Sequence, residues 1–157
     1  NVFTQLPQNT IYLIAGAGQE TQHLRKLSQE YSLDDRVFLL GYVTEEEKAC
    51  LFQLADLFIM PNISDENDQE GFGIVLLEAG SYNLPSIASD IEGIRDAVID
   101  GVSGKLIPEG DADAFIRAIN HQSFNRKQIS KQLQNKFDWK TISKRYLDAF
   151  HSITEQI

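Results

Sequence analysis

Cysteine is almost absent from this sequence of 157 residues, since Cys50 is the only one. A single cysteine excludes an internal disulfide and a thiolate metal cluster, and it is compatible with a reducing compartment. Long apolar runs are also lacking, because no segment reaches the roughly 20 residues that a membrane-spanning helix needs. The amino terminus shows no signal-peptide pattern. Together these absences predict a cytoplasmic protein.

Basic residues are scarce: 14 Lys and Arg stand against 23 Asp and Glu, for a net charge of −9. Nucleic-acid-binding proteins neutralise phosphates with clustered Lys and Arg, so no nucleic-acid partner is predicted. Segment 121–157 is the exception, with seven basic and three acidic side chains. A solvated helix face is the simpler interpretation of this segment, and docking on a neighbouring domain is the alternative. His23, His121 and His151 lack metal-ligand spacing, so no metal site is predicted.

What the sequence does contain is an alternation of short apolar runs with longer segments of helical period. This pattern predicts an α/β fold with a parallel sheet and crossover helices, and the length suits one domain without an internal boundary. Because the chain opens with Asn1 rather than Met, we expect it to begin inside a longer polypeptide. Strands are predicted over 11–15, 37–40, 57–60, 86–88 and 105–107. Helices are predicted over 20–31, 44–55, 74–82, 91–98, 112–119, 125–136 and 139–156.

The loops after the strands are where an open α/β sheet binds its ligands. The first is Gly16-Ala17-Gly18-Gln19-Glu20, in which the glycines permit a tight turn and close approach of the backbone to a ligand. A plain turn between strand and helix is an equally good interpretation. A dinucleotide-binding fingerprint would require a glycine at Thr21 and an acid at the end of the next strand, and both are missing. The sequence therefore disfavours an NAD-dependent oxidoreductase.

The polar loop 61–69 leads directly into a second glycine-containing stretch, Glu70-Gly71-Phe72-Gly73-Ile74. Gly71 and Gly73 leave the backbone bare where a helix begins, and the N–H groups at such a helix start favour a phosphate. Glu78, about one turn into the helix, can reach back and accept hydrogen bonds from the paired hydroxyls of a ribose. Glu70 could meet the hydroxyls of a sugar. In the alternative interpretation, Glu70 is only a favourable charge at the helix start and Glu78 a solvated residue.

The segment from Glu70 to Glu78 resembles the E-x7-E motif of retaining glycosyltransferases with the GT-B fold (glycosyl transferases group 1). Residues 55–62 resemble the strand before that motif, 83–98 the stretch after it, and 100–108 the final turn and strand. The resemblance covers nearly the whole chain. It implies a Rossmann-like, three-layer domain, the C-terminal half of a GT-B fold, with residues 1–157 as a single nucleotide-sugar-binding domain.

The resemblance also implies a role for each matching residue. Glu70 would contact the transferred sugar as the catalytic residue, and Glu78 would bind the ribose of the donor. Val43 would read the nucleobase through its backbone. The other donor-binding residues implied are Gly16 and Gly18 in the same cleft, Glu45 and Lys48 near the base, and Gly71, Phe72, Gly73, Ile74 and Val75 against the sugar and diphosphate.

A retaining hexosyltransferase of polysaccharide or glycolipid biosynthesis is the function that the resemblance implies, with a UDP- or GDP-sugar as donor substrate and with neither a metal nor a cofactor. The family's acceptor-binding domain, and its Arg and Lys that neutralise the diphosphate, precede the position where this chain starts. We therefore expect donor binding but little transfer by the chain alone. The acceptor, a sugar, lipid or protein, and any peripheral membrane association would depend on the absent domain. The alternative is a non-catalytic nucleotide- or protein-binding module.

Overall fold

The structure is a computed structural model that describes residues 2–64, 72–121 and 123–154. The described elements alternate along the chain, as predicted. The strands are β1 (Tyr12–Ala15), β2 (Val37–Gly41), β3 (Phe58–Met60), β4 (Ser86–Ser89) and β5 (Gly104–Ile107). The helices are α1 (Thr21–Glu30), α2 (Glu45–Leu54), α3 (Ile74–Ser81), α4 (Ile94–Ala97), α5 (Ala112–His121), α6 (Arg126–Phe137) and α7 (Trp139–Thr154).

Contacts divide the chain into two compact units, 1–55 with 111–122 and 56–110 with 123–157. The described strands form two parallel sheets, β1-β2 in the first unit and β3-β4-β5 in the second. The sequence predicts parallel pairing in one sheet. The parallel pairing is confirmed, and it is divided between these two sheets.

In the first unit, Arg36 holds the segment that precedes β1. Its side chain is buried, with 7% of its surface exposed, and its guanidinium lies 4.7 Å from the centre of the Phe3 ring. A buried cation needs hydrogen-bond acceptors, and this one is surrounded by backbone carbonyls. Arg36 donates to the carbonyls of Leu6 (3.4 Å), Pro7 (2.6 Å) and Thr10 (3.1 Å) and to Oε1 of Gln8 (3.2 Å).

One hydrophobic cluster of the second unit packs α3 and α4 against its three-stranded sheet. β4 is the central strand and is buried along its whole length. Leu76 of α3 and Ile94 of α4 pack with Met60 and Ala88 of the sheet. On the other side of α3, Gly80 faces α6, and a Cβ atom there would overlap Leu133. The absence of a side chain at Gly80 therefore allows α3 and α6 to approach closely.

The predicted helix 91–98 is shorter than expected, because α4 covers only Ile94–Ala97. Gly93 has a φ of +83°, outside the helical region, so a helix cannot run through it. The other predicted strands and helices are confirmed to within a few residues. α7 leaves Trp139, Tyr146 and Phe150 largely exposed, and docking of this helix on a neighbouring domain stays a prediction.

None of the helices in the described ranges is long and apolar enough to cross a membrane. The cytoplasmic placement stays a prediction.

Candidate functional site

In the first unit, the loops that follow β1 and β2 lie side by side. The N–H of Gly16 donates to the carbonyl of Gly41 at 2.7 Å, which joins the carboxyl ends of the two strands. Gly16 has a φ of +129°, a conformation that other residues rarely adopt. The structure therefore brings the predicted Gly16–Gly18 loop next to the segment that leads to Val43.

The Gly16–Gly18 loop is held by Thr21, the first residue of α1. The Thr21 hydroxyl accepts a hydrogen bond from the Gly18 N–H at 3.1 Å and donates to the Gly18 carbonyl at 2.8 Å. A glycine at this position, as a dinucleotide fingerprint requires, would remove both bonds. The N–H groups of Gly16 and Gly18 thus already donate to acceptors within the chain. A ligand at this loop would therefore contact the backbone closely without hydrogen bonds from these two N–H groups.

The start of α2 is closed by its own side chains. The Thr44 hydroxyl accepts from the Glu47 N–H at 3.2 Å, and the Glu47 carboxylate accepts from the Thr44 N–H at 2.7 Å. This capping box occupies the N–H groups of two residues at the helix start. Glu45 and Lys48, the predicted base contacts, form an ion pair with each other at 2.9 Å. Val43, just before the cap, is half-buried.

In the second unit, the start of α3 differs from that of α2, because no side chain caps it. Gly73 precedes the helix in a left-handed conformation, with a φ of +64°, and it is buried. A Cβ atom here would come within 3.0 Å of Cδ1 of Leu76, so both the conformation and the space favour glycine. As a glycine it provides no capping side chain, and the next residue, Ile74, is 64% exposed. Ile74, the first residue of α3, is therefore accessible to solvent, a condition for a phosphate site at this helix start.

Glu78 lies one turn inside α3 and is half-buried, whereas its neighbours Ala79 and Gly80 are buried. Residues four apart share a helix face, so Glu78 lies on the same side as Ile74 and leans toward the helix start. Phe72 is half-buried, and its ring meets that of Phe137 edge to face at 5.9 Å. Val75 is half-buried. The predicted positions of Phe72, Gly73, Ile74, Val75 and Glu78 are thus brought together at one helix start.

Two predicted positions of the motif, Glu70 and Gly71, lie outside the described residues, as does the stretch 65–69 before them. The donor-binding predictions otherwise divide between the units: Gly16, Gly18, Val43, Glu45 and Lys48 belong to the first, and Phe72 to Val75 and Glu78 to the second. In the described parts of the chain, no three His, Cys, Asp or Glu side chains form a group that could hold a metal ion. Metal-independent transfer and the donor-binding roles stay predictions.

Sequence reasoning missed a hollow of about 540 Å³ at the carboxyl ends of the second unit's strands. It contains two polar pairs. Nε of Arg95 donates to Oδ1 of Asp90 at 2.5 Å, and this hydrogen bond and charge raise the pKa of Arg95. The N–H and hydroxyl of Ser64 both donate to the Glu109 carboxylate. Glu92 and Asp96 also line the hollow.

A signal for two of these residues was present in the sequence. Asp90 directly follows β4 and Glu109 stands two residues beyond β5, so the rule that ligands bind beyond the carboxyl ends of strands covers both. Their pairing with Arg95 and Ser64 had no sequence signal.

Comparison with known protein families matches residues 1–137 to the glycosyl transferases group 1. A phosphatidyl-myo-inositol mannosyltransferase from Mycobacterium leprae (strain TN) is 31% identical over 147 residues, which cover 90% of this chain and 37% of that protein. A putative colanic acid biosynthesis glycosyltransferase, WcaL from Salmonella typhimurium (strain LT2), is 31% identical over 144 residues, 78% of this chain and 36% of that protein. The chain thus spans little more than a third of the length of these relatives.

Solved structures show the same fold. The lipopolysaccharide outer core galactosyltransferase WaaB in its apo form matches with a TM-score of 0.81 and 22% identity, over 96% of this chain and 43% of its own. HepE from Anabaena in complex with UDP-glucose matches with a TM-score of 0.73 and 21% identity, over the same shares, 96% and 43%. The predicted α/β, Rossmann-like fold of a GT-B half is thereby confirmed. With the family match over residues 1–137, the chain belongs to the glycosyl transferases group 1 family.

Proposed function

We propose that this chain is the donor-binding domain of a retaining hexosyltransferase that takes a UDP- or GDP-sugar. The observation that carries the proposal is the start of α3, where Gly73 leaves the helix end without a capping side chain and Glu78 stands one turn inside. The proposal is also supported by relatives named as mannosyltransferases and by a structural neighbour solved with UDP-glucose. It extends to residues 1–157 acting as one nucleotide-sugar-binding domain.

Each element of the site has a chemical task in this proposal. The positive end of α3 attracts the diphosphate, and the Glu78 carboxylate accepts hydrogen bonds from the ribose hydroxyls. Glu70 contacts the sugar that is transferred. Transfer from such a donor leaves a nucleoside diphosphate, and fixed positive charge near that leaving group lowers the barrier. The helix end supplies part of this charge without a metal ion.

The acceptor is assigned to a part of the protein outside this chain. The chain spans 37% of the mannosyltransferase that it matches, so a whole enzyme of this kind has further structure. In the resemblance described above, the family's diphosphate-binding Arg and Lys fall before the matched residues. We therefore expect the isolated chain to bind a donor and to show little or no transfer. Robust transfer by the chain alone would contradict the assignment of the acceptor site to another part of the protein.

The donor site is tested by calorimetric titration of the chain with UDP, GDP, ADP and NAD at low salt. We expect one nucleoside diphosphate to bind. Glu78→Ala should weaken its binding by at least about tenfold, because a single hydrogen bond to a charged group contributes about 1.5–3 kcal/mol and about 1.4 kcal/mol corresponds to a tenfold change in affinity. Glu78→Gln, which keeps the shape and one acceptor oxygen, should lose less.

Glu30→Ala is the matched control, because it removes one carboxylate from the end of α1, in the other unit. It should leave nucleotide affinity unchanged. Diphosphate binding that survives Glu78→Ala would favour a non-catalytic nucleotide-binding module, and binding of NAD would favour an oxidoreductase.

A further inference from the structure

Tyr42 is the most exposed aromatic residue that the structure describes in the first unit, with 86% of its surface open to solvent. Phe38 and Leu40, at alternate positions of β2, are only 40% and 41% exposed. One exposed ring is ordinary on a protein surface, so this exposure does not by itself indicate a ligand. What distinguishes Tyr42 is its place in the sheet.

Tyr42 lies at the carboxyl end of β2, the end at which parallel sheets bind ligands. β2 ends at Gly41, which has a φ of +70° and whose carbonyl accepts the hydrogen bond from Gly16. Two residues after Tyr42, the capping box of Thr44 fixes the start of α2. Tyr42 and Val43 are therefore carried on a two-residue connection that is held at both ends. A side chain on such a connection has little backbone entropy to lose when it meets a ligand.

This end of the sheet is poorly suited to a phosphate. The N–H groups of Gly16 and Gly18 already donate to acceptors within the chain, and the capping box uses two more at the start of α2. The ammonium group of Lys48 is paired with Glu45. The first turn of α2 adds negative charge through three carboxylates, those of Glu45, Glu46 and Glu47. A phosphate here would be repelled by these charges, so this end favours an uncharged part of a ligand.

A nucleobase has the properties that this end of the sheet favours. Uracil and guanine are flat and uncharged at neutral pH, and every base has a face that can stack on an aromatic ring. A tyrosine ring provides an apolar surface for such stacking, while its hydroxyl group stays in water. Val43, whose backbone is predicted to read the base, directly follows Tyr42. The phosphates of the same ligand are assigned to the start of α3 in the proposed function.

We propose that the nucleobase of the donor stacks on the ring of Tyr42. The ring contacts the face of the base, and the backbone of Val43 contacts its edge. This inference rests on the proposed function and extends it, because it assigns the base to the carboxyl end of β2. Tyr42 should therefore contribute to affinity through the base alone, whatever the number of phosphates on the nucleotide.

The test measures the affinity of the chain for UDP or GDP, whichever binds more tightly, by calorimetry. Tyr42→Ala should weaken binding by at least about fivefold, because base–aromatic stacking contributes about 1–3 kcal/mol and about 1.4 kcal/mol is a tenfold change. Tyr42→Phe keeps the ring and should stay within about twofold of wild type. Tyr42→Leu keeps an apolar side chain without a flat face, and its loss should equal that of Tyr42→Ala.

Tyr31→Ala is the matched control, because it removes another exposed tyrosine of the same unit, at the end of α1. It should leave nucleotide affinity unchanged. Since Tyr42 is 86% exposed, Tyr42→Ala should unfold at nearly the wild-type temperature, which shows that the loss of affinity is not a loss of folding. The corresponding nucleoside monophosphate should lose the same factor in Tyr42→Ala as the diphosphate does.

Nuclear magnetic resonance of the bound nucleotide separates stacking from an indirect effect. The ring current of an aromatic side chain shifts the proton resonances of a base stacked on it to higher field. The H5 and H6 protons of uracil, or H8 of guanine, should show this shift with the wild-type chain and with Tyr42→Phe. They should not show it with Tyr42→Ala or Tyr42→Leu.

The outcomes distinguish this inference from the function on which it rests. A wild-type chain that binds no nucleoside diphosphate would overturn both. Wild-type binding that Glu78→Ala weakens but Tyr42→Ala leaves unchanged would overturn the stacking role alone. Binding by Tyr42→Leu as tight as that of wild type would also overturn stacking, as would a loss in Tyr42→Ala that is confined to the diphosphate.

Discussion

Gly104 offers a direct test of how closely β4 and β5 are packed. A Cβ atom at this position would overlap the carbonyl oxygen of Ser86 and come within 3.1 Å of its carbonyl carbon. Both are backbone atoms of the neighbouring strand, so the overlap can be relieved only if the strands move apart. Gly104 does not adopt a left-handed conformation, and overlap alone therefore decides the effect of Gly104→Ala.

We expect Gly104→Ala to lower the free energy of unfolding by about 2–3 kcal/mol, the upper part of the usual range for overpacking. At about 2–4 °C per kcal/mol for a chain of this size, the melting temperature should fall by about 4–12 °C. Urea unfolding followed by circular dichroism provides the free energy, and thermal unfolding provides the melting temperature.

Gly80→Ala is the informative comparison, because a Cβ atom there also overlaps a neighbour, Cδ1 of Leu133. That atom is the end of a flexible side chain, whose Cγ is 3.6 Å away, and alanine is favoured over glycine in a helix by about 1 kcal/mol. Gly80→Ala should therefore cost less than Gly104→Ala. Gly18→Ala, with nothing within 4 Å, serves as the control. A Gly104→Ala chain within about 0.5 kcal/mol of wild type, the usual range for surface changes, would refute this reasoning.

Two further predictions concern charged groups. Arg36→Lys should lower the free energy of unfolding by about 1–3 kcal/mol, because one ammonium group cannot donate to all four acceptors around the Arg36 guanidinium. A Lys variant as stable as wild type in urea unfolding would contradict this role of the guanidinium. Burial alone would raise the pKa of Asp100, but hydrogen bonds from the Leu106 N–H and the Lys105 ammonium outweigh it, and the pKa is held below its ordinary value. The stability that Asp100 contributes is therefore fully present above pH about 4, and it is lost as the pH falls through the lowered pKa of the folded chain. In Asp100→Asn, the melting temperature measured as a function of pH should fall less steeply below pH about 4.

The candidate site was predictable in part for a physical reason. A helix start with glycines and a glutamate one turn later is a local pattern, and α3 begins at Ile74, the residue predicted. Hydrogen bonding at the first loop was not predictable, because the Gly16 N–H meets Gly41 from another strand. The sequence predicted only a tight turn and close approach of the backbone there, and the structure adds that the N–H groups of Gly16 and Gly18 are in use.

By itself, the sequence determined the order of strands and helices and the parallel pairing, because apolar periodicity is a property of neighbouring residues. It also contained the Glu70–Glu78 spacing that led to the family. Only the tertiary structure decided which distant residues meet: Arg36 with carbonyls 26 to 30 residues away, and Ser64 with Glu109 at a separation of 45. Such contacts depend on the order of the strands in each sheet and on where the chain turns between them. No local pattern of side chains specifies a partner that far along the chain.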